Sequence, residues 1–526
     1  MAANQELELK LELDPEAGER LAQTLAARFG VGETRSLVST YFDTPDLTLR
    51  DHQVSLRIRC SDGRRLQTIK AGSVRRGGWF ERREWECELD GEAPDLAAAA
   101  ETPLGPLLKH GDVRDALAPV LETRVERILW NVGEGAGVAA GQIELALDRG
   151  LVEAEGRSAD LCELELELKS GSPQALLTLA RTLAAEVDGG GVRLGVRSKS
   201  ERGYRLLEKT DRRPTPAEPV TLQPQLPTAE AFQVVARSCV RHFRLNEPLV
   251  TETGDPEALH QTRVALRRLR SALSLFKPLV ADSEFEPLKG RLKFLAQALG
   301  EVRDLDVLER TMSGRAPDGG DEAQQALLDQ VRREREDAWR RAMEVLAAPE
   351  SRSLMLDLSL WIEAGDWTRA QPGKAARERP VRAFAAEVLE RRRRRLRQAG
   401  AHLARLDAEG RHQVRIEAKK LRYALDFLSS AAMEKGAQKR QRAFLAALKG
   451  LQEDLGELND RVQGQAVAAQ LARRFAERKG GVRNNATLIF AAGREAGRQE
   501  ANLDVALEAA AGAFHRFRDA KPFWRA

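Results

Sequence analysis

The chain has 526 residues, of which 31% are charged and 5% aromatic, and its formal net charge at pH 7 is +4. This length favours two or more domains, and no apolar run reaches the roughly 18 residues that a membrane-spanning helix needs. Four scattered cysteines without a Cys-x-x-Cys pair, and an N-terminus without a signal-peptide pattern, predict a cytoplasmic protein with reduced thiols.

The first predicted strand alternates charged and apolar side chains in the order Glu6-Leu7-Glu8-Leu9-Lys10. Successive side chains of a strand point to opposite faces, so the two glutamates and the lysine share one face and the leucines share the other. Carboxylates are ligands for hard divalent cations, and lysine binds phosphoryl oxygens. The strand therefore predicts one wall of a site for a metal ion together with a polyanion.

Several following strands, as far as residue 199, pair an apolar face with a basic one. The basic positions are Arg57, Arg59, Lys70, Arg82, Arg127 and Lys199. So many charges can be buried in one barrel only if they neutralise one another, a metal ion and a charged ligand. For Arg82, internal salt bridges with Glu84 and Glu86 remain an alternative.

A second acidic strand lies about 150 residues after the first, where Glu163, Glu165 and Glu167 alternate with leucines. The same parity places these glutamates on one face, and Asp148 ends the strand before it. We interpret the two acidic strands as walls of one carboxylate cage, with Glu167 at its edge or beyond it.

Glycine-containing segments, Asp148-Arg149-Gly150 among them, are predicted to be turns that separate these strands. Two helical stretches are predicted at 15–29 and 173–187. Many antiparallel strands in one region favour a sandwich or a closed barrel.

The ordered set of motifs SLRIR, LQTIK, REWE, ALDRG, CELELELK and SKSERGYRLL, after the opening Glu-x-Glu-x-Lys, covers residues 1–208. This region resembles the CYTH domain, the family of triphosphate tunnel metalloenzymes. The resemblance implies an eight-stranded antiparallel β-tunnel with flanking helices that binds tripolyphosphate or an organic triphosphate with Mg²⁺ or Mn²⁺.

The resemblance also implies roles for individual residues. The implied metal ligands are Glu6, Glu8, Asp148, Glu163 and Glu165. The implied phosphate-binding residues are Lys10, Arg57, Arg59, Lys70, Arg82, Arg127 and Lys199. The residues expected to carry the catalysis are Glu6, Glu8, Lys10 and Glu165, in a metal-assisted transfer of a phosphoryl group to water.

Residues 209–227 contain five prolines and little apolar periodicity, which is typical of a linker. The region 228–526 is predicted to be helical and contains an internal repeat: the segment 260–273 matches 412–425 with an offset of 152 residues. Two modules of about 228–375 and 376–526 follow from this repeat.

Each copy of the repeat carries a cationic stripe. At 100° per residue, His260, Arg263, Arg267 and Arg270 lie within an arc of about 80°. The second copy repeats the stripe as His412, Arg415, Lys419 and Arg422. Like charges on neighbouring helical turns repel one another, so a stripe in both copies favours an anionic partner. On the preceding helices, Arg237 and Arg241 in the first copy, and the run Arg391–Arg395 with Arg397 in the second, could extend it.

The helical region resembles the CHAD domain, the conserved-histidine α-helical domain, through HQxRxxx(R/K)(R/K)LRxAL and LGExxD in both copies. The resemblance implies two four-helix bundles related by a pseudo-two-fold axis and a basic surface that binds inorganic polyphosphate. Metal chelation by the histidines is an alternative, but a metal ion beside several cations needs carboxylates. Nucleic acid is disfavoured because aromatic residues are not interleaved with the basic ones.

The sequence thus predicts an α+β multidomain protein without a membrane partner: a cytoplasmic inorganic triphosphatase joined to a polyphosphate-binding module, which could bring it to polyphosphate granules. One alternative is a polyphosphate-binding protein with a weakly active tunnel. Another is a tunnel enzyme that acts on thiamine triphosphate or, as an adenylate cyclase, on ATP.

Overall fold

The computed structural model describes residues 4–76, 79–133, 141–187, 191–313, 322–434, 436–477, 481–500 and 503–524. The chain forms two compact units. The first comprises Met1–Ala217, Arg237–Thr262 and Leu346–Asp366, and the second comprises Glu218–Ala236, Arg263–Val345 and Trp367–Ala526. None of the described helices combines the length and the hydropathy that crossing a lipid bilayer requires.

The first unit is built on strands that form one antiparallel sheet. They are β1 (Asn4–Leu13), β2 (Glu33–Asp43), β3 (Val54–Ser61), β4 (Arg64–Arg76), β5 (Trp79–Leu89), β6 (Ala118–Val132), β7 (Gly141–Ala154), β8 (Arg157–Gly171) and β9 (Val192–Leu194). The strand order is β5-β4-β3-β2-β6-β7-β8-β1-β9, and β5 also pairs with β1. This pairing closes eight strands into a ring, and the three-residue β9 is a ninth strand that pairs with β1.

The helices of the strand region are α1 (Pro15–Phe29), α2 (Thr48–Asp51), α3 (Gly105–Leu108), α4 (Gly111–Asp115), α5 (Pro173–Glu186) and α6 (Lys199–Leu207), with a 3-10 turn at Ala98–Glu101. The predicted helix at 15–29 is confirmed, and the one at 173–187 is one residue shorter than predicted. Leu9 and Leu11 of β1 are fully buried, as the alternation predicts, and Leu21 and Leu25 of α1 are buried as well.

The predicted turn at Gly150 is wrong, because β7 runs without interruption through this residue. A Cβ atom at position 150 would lie 2.0 Å from the carbonyl oxygen of Arg124 on the neighbouring β6. The glycine therefore allows a close approach of two strand backbones instead of a chain reversal.

The remaining helices begin with α7 (Thr228–Thr253), α8 (Pro256–Val280) and α9 (Phe285–Ser313). They continue with α10 (Glu322–Ala347), α11 (Pro349–Ala364), α12 (Lys374–Glu378), α13 (Val381–Ala399), α14 (Ala408–Ala432), α15 (Gln438–Glu477), α16 (Gly481–Glu500) and α17 (Leu503–Asp519), with 3-10 turns at Asp366–Thr368 and Leu403–Arg405. Residues 209–227 contain no helix and no named strand.

The internal repeat is visible in the helix boundaries. Helix α8 begins at Pro256 and α14 begins at Ala408, and both are 25 residues long, which agrees with the offset of 152 residues. The repeat-related Phe232 and Phe384 both pack on Phe276 in the core of the second unit, with ring centroids 5.4 Å and 5.1 Å apart. The two copies thus contribute equivalent side chains to a shared core.

Candidate functional site

A cavity of about 270 Å³ lies within the ring of strands, and we call it the strand cavity. Its lining includes cations and carboxylates in nearly equal number. The cations are Lys10, Arg57, Arg59, Lys70, Arg127, Lys169 and Lys199, and the carboxylates are Glu8, Glu84, Glu86, Glu144, Glu165 and Glu167. Every predicted phosphate-binding residue except Arg82 lines this cavity.

Three carboxylates of β7 and β8 come together, and of these Glu165 is among the described residues that line the strand cavity. Oxygens of Asp148, Glu163 and Glu165 all lie within 4.8 Å of one another, and we call these residues the carboxylate cluster. The antiparallel register pairs Asp148 with Glu163 directly, and Glu165 follows two residues later on the same face. The side chains of Asp148 and Glu163 are fully buried.

Lys199 binds all three members of the carboxylate cluster, at 2.6 Å from Asp148 Oδ2, 2.5 Å from Glu163 Oε1 and 2.8 Å from Glu165 Oε1. Sequence parity placed Lys199 on a strand, but it is the first residue of helix α6. The helix is capped by Ser198, whose hydroxyl accepts from the amide of Glu201 at 3.1 Å. This cap fixes the turn that directs the ammonium group into the cluster.

Two further cations bind the cluster from neighbouring strands. Arg127 of β6 donates to Asp148 Oδ1 at 2.7 Å and to Glu165 Oε2 at 2.6 Å. Lys10 of β1 contacts Glu165, lies 3.4 Å from Glu163 Oε1 and lies 2.6 Å from Glu8 Oε1. The register explains the contact with Glu165, since Lys10 and Glu165 are direct cross-strand partners.

These ion pairs outweigh the effect of burial on the ionisation of the cluster. Burial raises the pKa of Glu165, but Lys10, Lys199 and Arg127 together hold that pKa well below its ordinary value. Burial lowers the pKa of Lys10, yet the attraction of Glu163, Glu165 and Glu8 keeps that pKa well above its ordinary value. Glu165 and Lys10 therefore stay charged together at neutral pH.

The carboxylate cluster fits a hard divalent cation, which prefers oxygen ligands. Glu163 Oε2 is buried and forms no hydrogen bond within the described part of the chain, so it is a ligand atom without a competing donor at hydrogen-bond distance. Of the predicted metal ligands, Asp148, Glu163 and Glu165 belong to the cluster. Glu8 lines the strand cavity, as Glu165 does, and contacts Lys10. The side chain of Glu6 lies outside the described residues.

Strands β3 and β4 supply further cations to the strand cavity. Their distances to carboxylate oxygens are longer than those of Lys199. Arg57 lies 3.6 Å and Lys70 lies 3.2 Å from Glu84 Oε1. Arg59 forms no ion pair with any described residue and donates to Ser39 Oγ at 3.4 Å. Burial, together with Arg57 and Arg127, lowers the pKa of Arg59 to about 10, and the attraction of Glu165 offsets this only in part. The side chain of Arg82 lies outside the described residues.

Sequence reasoning missed several residues of this site. Tyr41 and Lys169 line the strand cavity, and Glu12 and Arg202 form an ion pair next to it. Strand parity could have found Glu12 and Lys169, since each continues the charged face of its strand by one more step. No sequence signal distinguished Arg202 on helix α6.

A second cavity, of about 680 Å³, lies in the second unit, and we call it the helical cavity. Helices α8 and α14 contribute four cations to its lining: Arg263, Arg267, Arg415 and Lys419. None of the four forms an ion pair with another residue in the described part of the chain. Asp304 and Asp460, which end the two LGExxD motifs, line the same cavity.

Charge crowding is visible in the helical cavity. Burial, followed by Arg415 and Arg267, lowers the pKa of Lys419 to about 7. Burial also lowers the pKa of Arg415, and its Nε is buried without a hydrogen bond to a described residue. Burial raises the pKa of Asp304. The cavity thus has positive groups that an anion would stabilise.

The other members of the two cationic stripes do not line the helical cavity. Arg270 is exposed, and Arg422 is paired with Asp426 of its own helix at 2.8 Å. His260 and His412 are half-buried and are not among the residues that line the cavity. The stripe therefore contributes two cations of each copy to the cavity and not four.

The suggested extension of the stripe to helix α7 is wrong for two residues. Arg237 is bound by Glu363 of α11, and Arg241 donates to the carbonyl of Val196 and to Glu201. All of these contacts lie within the first unit. The arginines of the 391–395 run include Arg393 and Arg394, which pair with Glu390 on the same helix at 3.6 Å and 3.1 Å.

Comparison with known proteins places two domains on the chain. A sequence model of the CYTH domain matches residues 4–204, and one of the CHAD domain matches residues 234–473. An inorganic triphosphatase of Haemophilus influenzae is 32% identical over 212 residues, which are 39% of this chain and 56% of that protein. The chain thus spans little more than half the length of that relative.

Two further similar proteins match larger parts of the chain. An uncharacterized protein of Mycobacterium tuberculosis is 26% identical over 468 residues, which are 84% of each protein. The crystal structure of the CHAD domain from the plant Ricinus communis is 28% identical and matches with a TM-score of 0.49, over 57% of this chain and 96% of that one.

Proposed function

Because the chain carries a CYTH domain at residues 4–204 followed by a CHAD domain at residues 234–473, we propose that its strand cavity hydrolyses inorganic tripolyphosphate to pyrophosphate and phosphate with a bound divalent cation. The observation that carries this proposal is the carboxylate cluster bound by Lys10, Arg127 and Lys199, since these three cations and Glu165 of the cluster all line the strand cavity. The distant relationship to an inorganic triphosphatase supports it.

The carboxylate cluster and the arginines of β3 have different roles in this proposal. Asp148, Glu163 and Glu165 would hold the divalent cation. That cation, when bound, withdraws negative charge from the phosphoryl oxygens that it contacts. Since Arg59 has no carboxylate partner among the described residues, its guanidinium is available for phosphoryl oxygens, and Arg57 beside it adds a second cation.

The reaction needs little covalent chemistry from the protein. Water adds to the terminal phosphorus, the P–O–P bond breaks, and the bridging oxygen leaves with pyrophosphate. Lys10, Lys199 and Arg127 lie around the carboxylate cluster and would stabilise negative charge that develops there. Because these cations are already fixed by ion pairs, they need no rearrangement during the reaction.

The lining of the strand cavity favours an inorganic substrate over a nucleotide. Among the described lining residues Tyr41 is the one aromatic side chain, and only 4% of it is exposed. Among these described residues a base would therefore find no exposed aromatic face on which to stack. Charged groups dominate the lining instead, and these suit the oxygens of a phosphate chain.

We further propose that the helical cavity binds inorganic polyphosphate. The four cations from α8 and α14 have no ion-pair partners among the described residues, so a phosphate chain can contact them without breaking an existing salt bridge. Arg267 donates to the hydroxyl of Tyr423, which orients this guanidinium. Polyphosphate presents only phosphoryl oxygens, and arginine recognises these with paired hydrogen bonds.

The test is release of phosphate from tripolyphosphate, ATP and thiamine triphosphate, each with Mg²⁺ and with Mn²⁺. We expect tripolyphosphate to have the largest kcat/KM and a chelator to abolish the reaction. If ATP is converted to cyclic AMP while tripolyphosphate is inert, the hydrolase proposal is rejected. If no triphosphate reacts although polyphosphate binds, the chain is a binding protein.

A further inference from the structure

Helix α7 directs a row of buried charged side chains at the strands of the first unit. Arg244 is 3% exposed and Glu247 is 4% exposed. Arg244 donates to the carbonyl oxygen of Leu194 on β9 at 2.8 Å, and its guanidinium also binds Glu247. These contacts fix the guanidinium in one position beside the end of β1, because β9 pairs with β1 at this point.

A chain of ion pairs leads from this arginine to the carboxylate cluster. Arg244 Nη2 donates to Glu12 Oε2 at 2.7 Å. The other oxygen of Glu12 accepts from Arg202 of helix α6. The same Arg202 guanidinium lies 3.7 Å from Glu163 Oε2, the buried oxygen that accepts no hydrogen bond from a described residue.

We propose that Arg244 is a positioning residue for the carboxylate cluster, acting through Glu12 and Arg202 on Glu163. This inference rests on the proposed function, since it concerns how the strand cavity holds its divalent cation. Helix α7 belongs to the region that the CHAD model matches, whereas the cluster belongs to the CYTH match. The tunnel site is therefore completed by a helix from outside its own family domain.

Electrostatics explains why the cluster needs this support. Arg202 lies between Glu12 and Glu163. Because it is bound to Glu12, it stays beyond hydrogen-bond distance from Glu163. Burial raises the pKa of Glu12, but Arg202 and Arg244 outweigh that effect and hold the pKa below its ordinary value. Without Arg244, Glu12 loses its fixed partner and Arg202 loses a fixed anchor. Arg202 can then move onto Glu163 and occupy the oxygen that would bind metal.

The test is Mn²⁺ affinity of the full chain, measured by electron paramagnetic resonance, for Arg244→Gln, Glu12→Gln and the double variant. Outer residues that orient metal ligands typically change metal affinity by about 10–100-fold, so we expect each single variant to weaken Mn²⁺ binding about tenfold. Both substitutions break the same chain of contacts. The double variant should therefore lose no more Mn²⁺ affinity than the single variant with the larger loss.

The matched control is the Arg237–Glu363 pair. Arg237 is a buried arginine of the same helix that is bound by a glutamate of α11, and neither residue lines the strand cavity. Arg237→Gln and Glu363→Gln should lower the melting temperature as much as the test variants but leave Mn²⁺ affinity within twofold of the unsubstituted chain. If Arg244→Gln does not fold, Glu12→Gln alone decides the outcome.

Several results would overturn the inference: unchanged Mn²⁺ affinity in folded Arg244→Gln or Glu12→Gln, equal losses in the control pair, or additive losses in the double variant. Failure of the proposed function is a separate outcome. It appears as a chain that binds Mn²⁺ but releases no phosphate from tripolyphosphate, and the affinities still decide the role of Arg244. A chain that binds no Mn²⁺ contradicts both.

Discussion

The strand cavity and the helical cavity both collect cationic side chains, but they neutralise them differently. In the strand cavity Lys10, Lys199 and Arg127 each contact at least two carboxylates. In the helical cavity Arg415 and Lys419 form no ion pair with any described residue, and burial lowers their pKa values. Each lining holds one more cation than carboxylates, but the four cations from α8 and α14 form no ion pair with a described residue, whereas the cations around the carboxylate cluster are ion-paired.

This difference indicates whether a cation contributes to folding stability or to ligand binding. Removing one partner of a buried ion pair leaves an uncompensated charge and destabilises a fold by about 3–5 kcal/mol. Cations of the strand cavity therefore hold the strands together as well as bind a ligand. Cations of the helical cavity repel one another, so their loss should reduce ligand binding without reducing stability.

The largest effect is expected from a ligand of the carboxylate cluster. Glu165→Gln keeps the shape of the side chain but removes a charge that a divalent cation would bind, so kcat/KM for tripolyphosphate should fall by at least about a hundredfold. Phosphate release at saturating Mg²⁺ measures this effect. Glu33→Gln, an exposed change at the start of β2, is the control and should keep full activity. An active Glu165→Gln variant would contradict the assignment of the cluster.

The second largest effect is expected when the four cations from α8 and α14 are replaced by glutamate, which should remove polyphosphate binding. We expect the combined change of Arg263, Arg267, Arg415 and Lys419 to Glu to weaken binding of long-chain polyphosphate by at least about a hundredfold, since each charge-assisted hydrogen bond contributes about 1.5–3 kcal/mol. Arg422→Glu alone, outside the cavity, should have little effect. A polyphosphate pull-down that survives the four reversals rejects the binding site.

Two arginines of the strand cavity can separate the structural role of a cation from its binding role. Arg127→Met leaves Asp148 and Glu165 with one cation fewer, so the first unit should lose about 3 kcal/mol of stability in denaturant unfolding. Arg59→Met removes a cation without a carboxylate partner among the described residues, so stability should be kept or slightly improved. The KM for tripolyphosphate should rise about tenfold. Equal destabilisation by both changes would remove the distinction.

Local periodicity explains how much of these sites could be predicted from sequence. The two-residue period of a strand decides which face a side chain takes, so Lys10, Arg57 and Arg59 could all be assigned to the inside of the ring. Parity does not decide which strands are neighbours. For that reason parity alone does not identify Glu165 of β8 as the cross-strand partner of Lys10.

Distance along the chain limited the rest. Arg244 and Glu12 are separated by 232 positions, and no local pattern connects them. The helical stripe shows a different limit. His260 and Arg270 share a helix face with Arg263, but ten residues of helix extend about 15 Å, so residues on one face need not reach one cavity. In α8 the stripe residues that line the helical cavity are Arg263 and Arg267, which lie one helical turn apart.

The smallest expected effect is a pH dependence confined to the helical cavity. The pKa of Lys419 is about 7, so the unliganded folded chain loses this charge as pH rises from 6 to 9, while the neighbouring arginines keep theirs. Polyphosphate binds the charged form of Lys419, so the affinity of the helical cavity for polyphosphate should fall severalfold over this range.

Folding stability should change in the opposite direction. Between pH 7 and the ordinary lysine pKa the unfolded chain binds more protons than the folded chain, so the free energy of unfolding increases as pH rises. Titration of long-chain polyphosphate at several pH values measures the first effect, and Lys419→Arg, which keeps its charge throughout, should flatten the dependence. If the slope is the same in Lys419→Arg, the titration belongs to another group, and the distinction between ion-paired and unpaired cations fails at this residue.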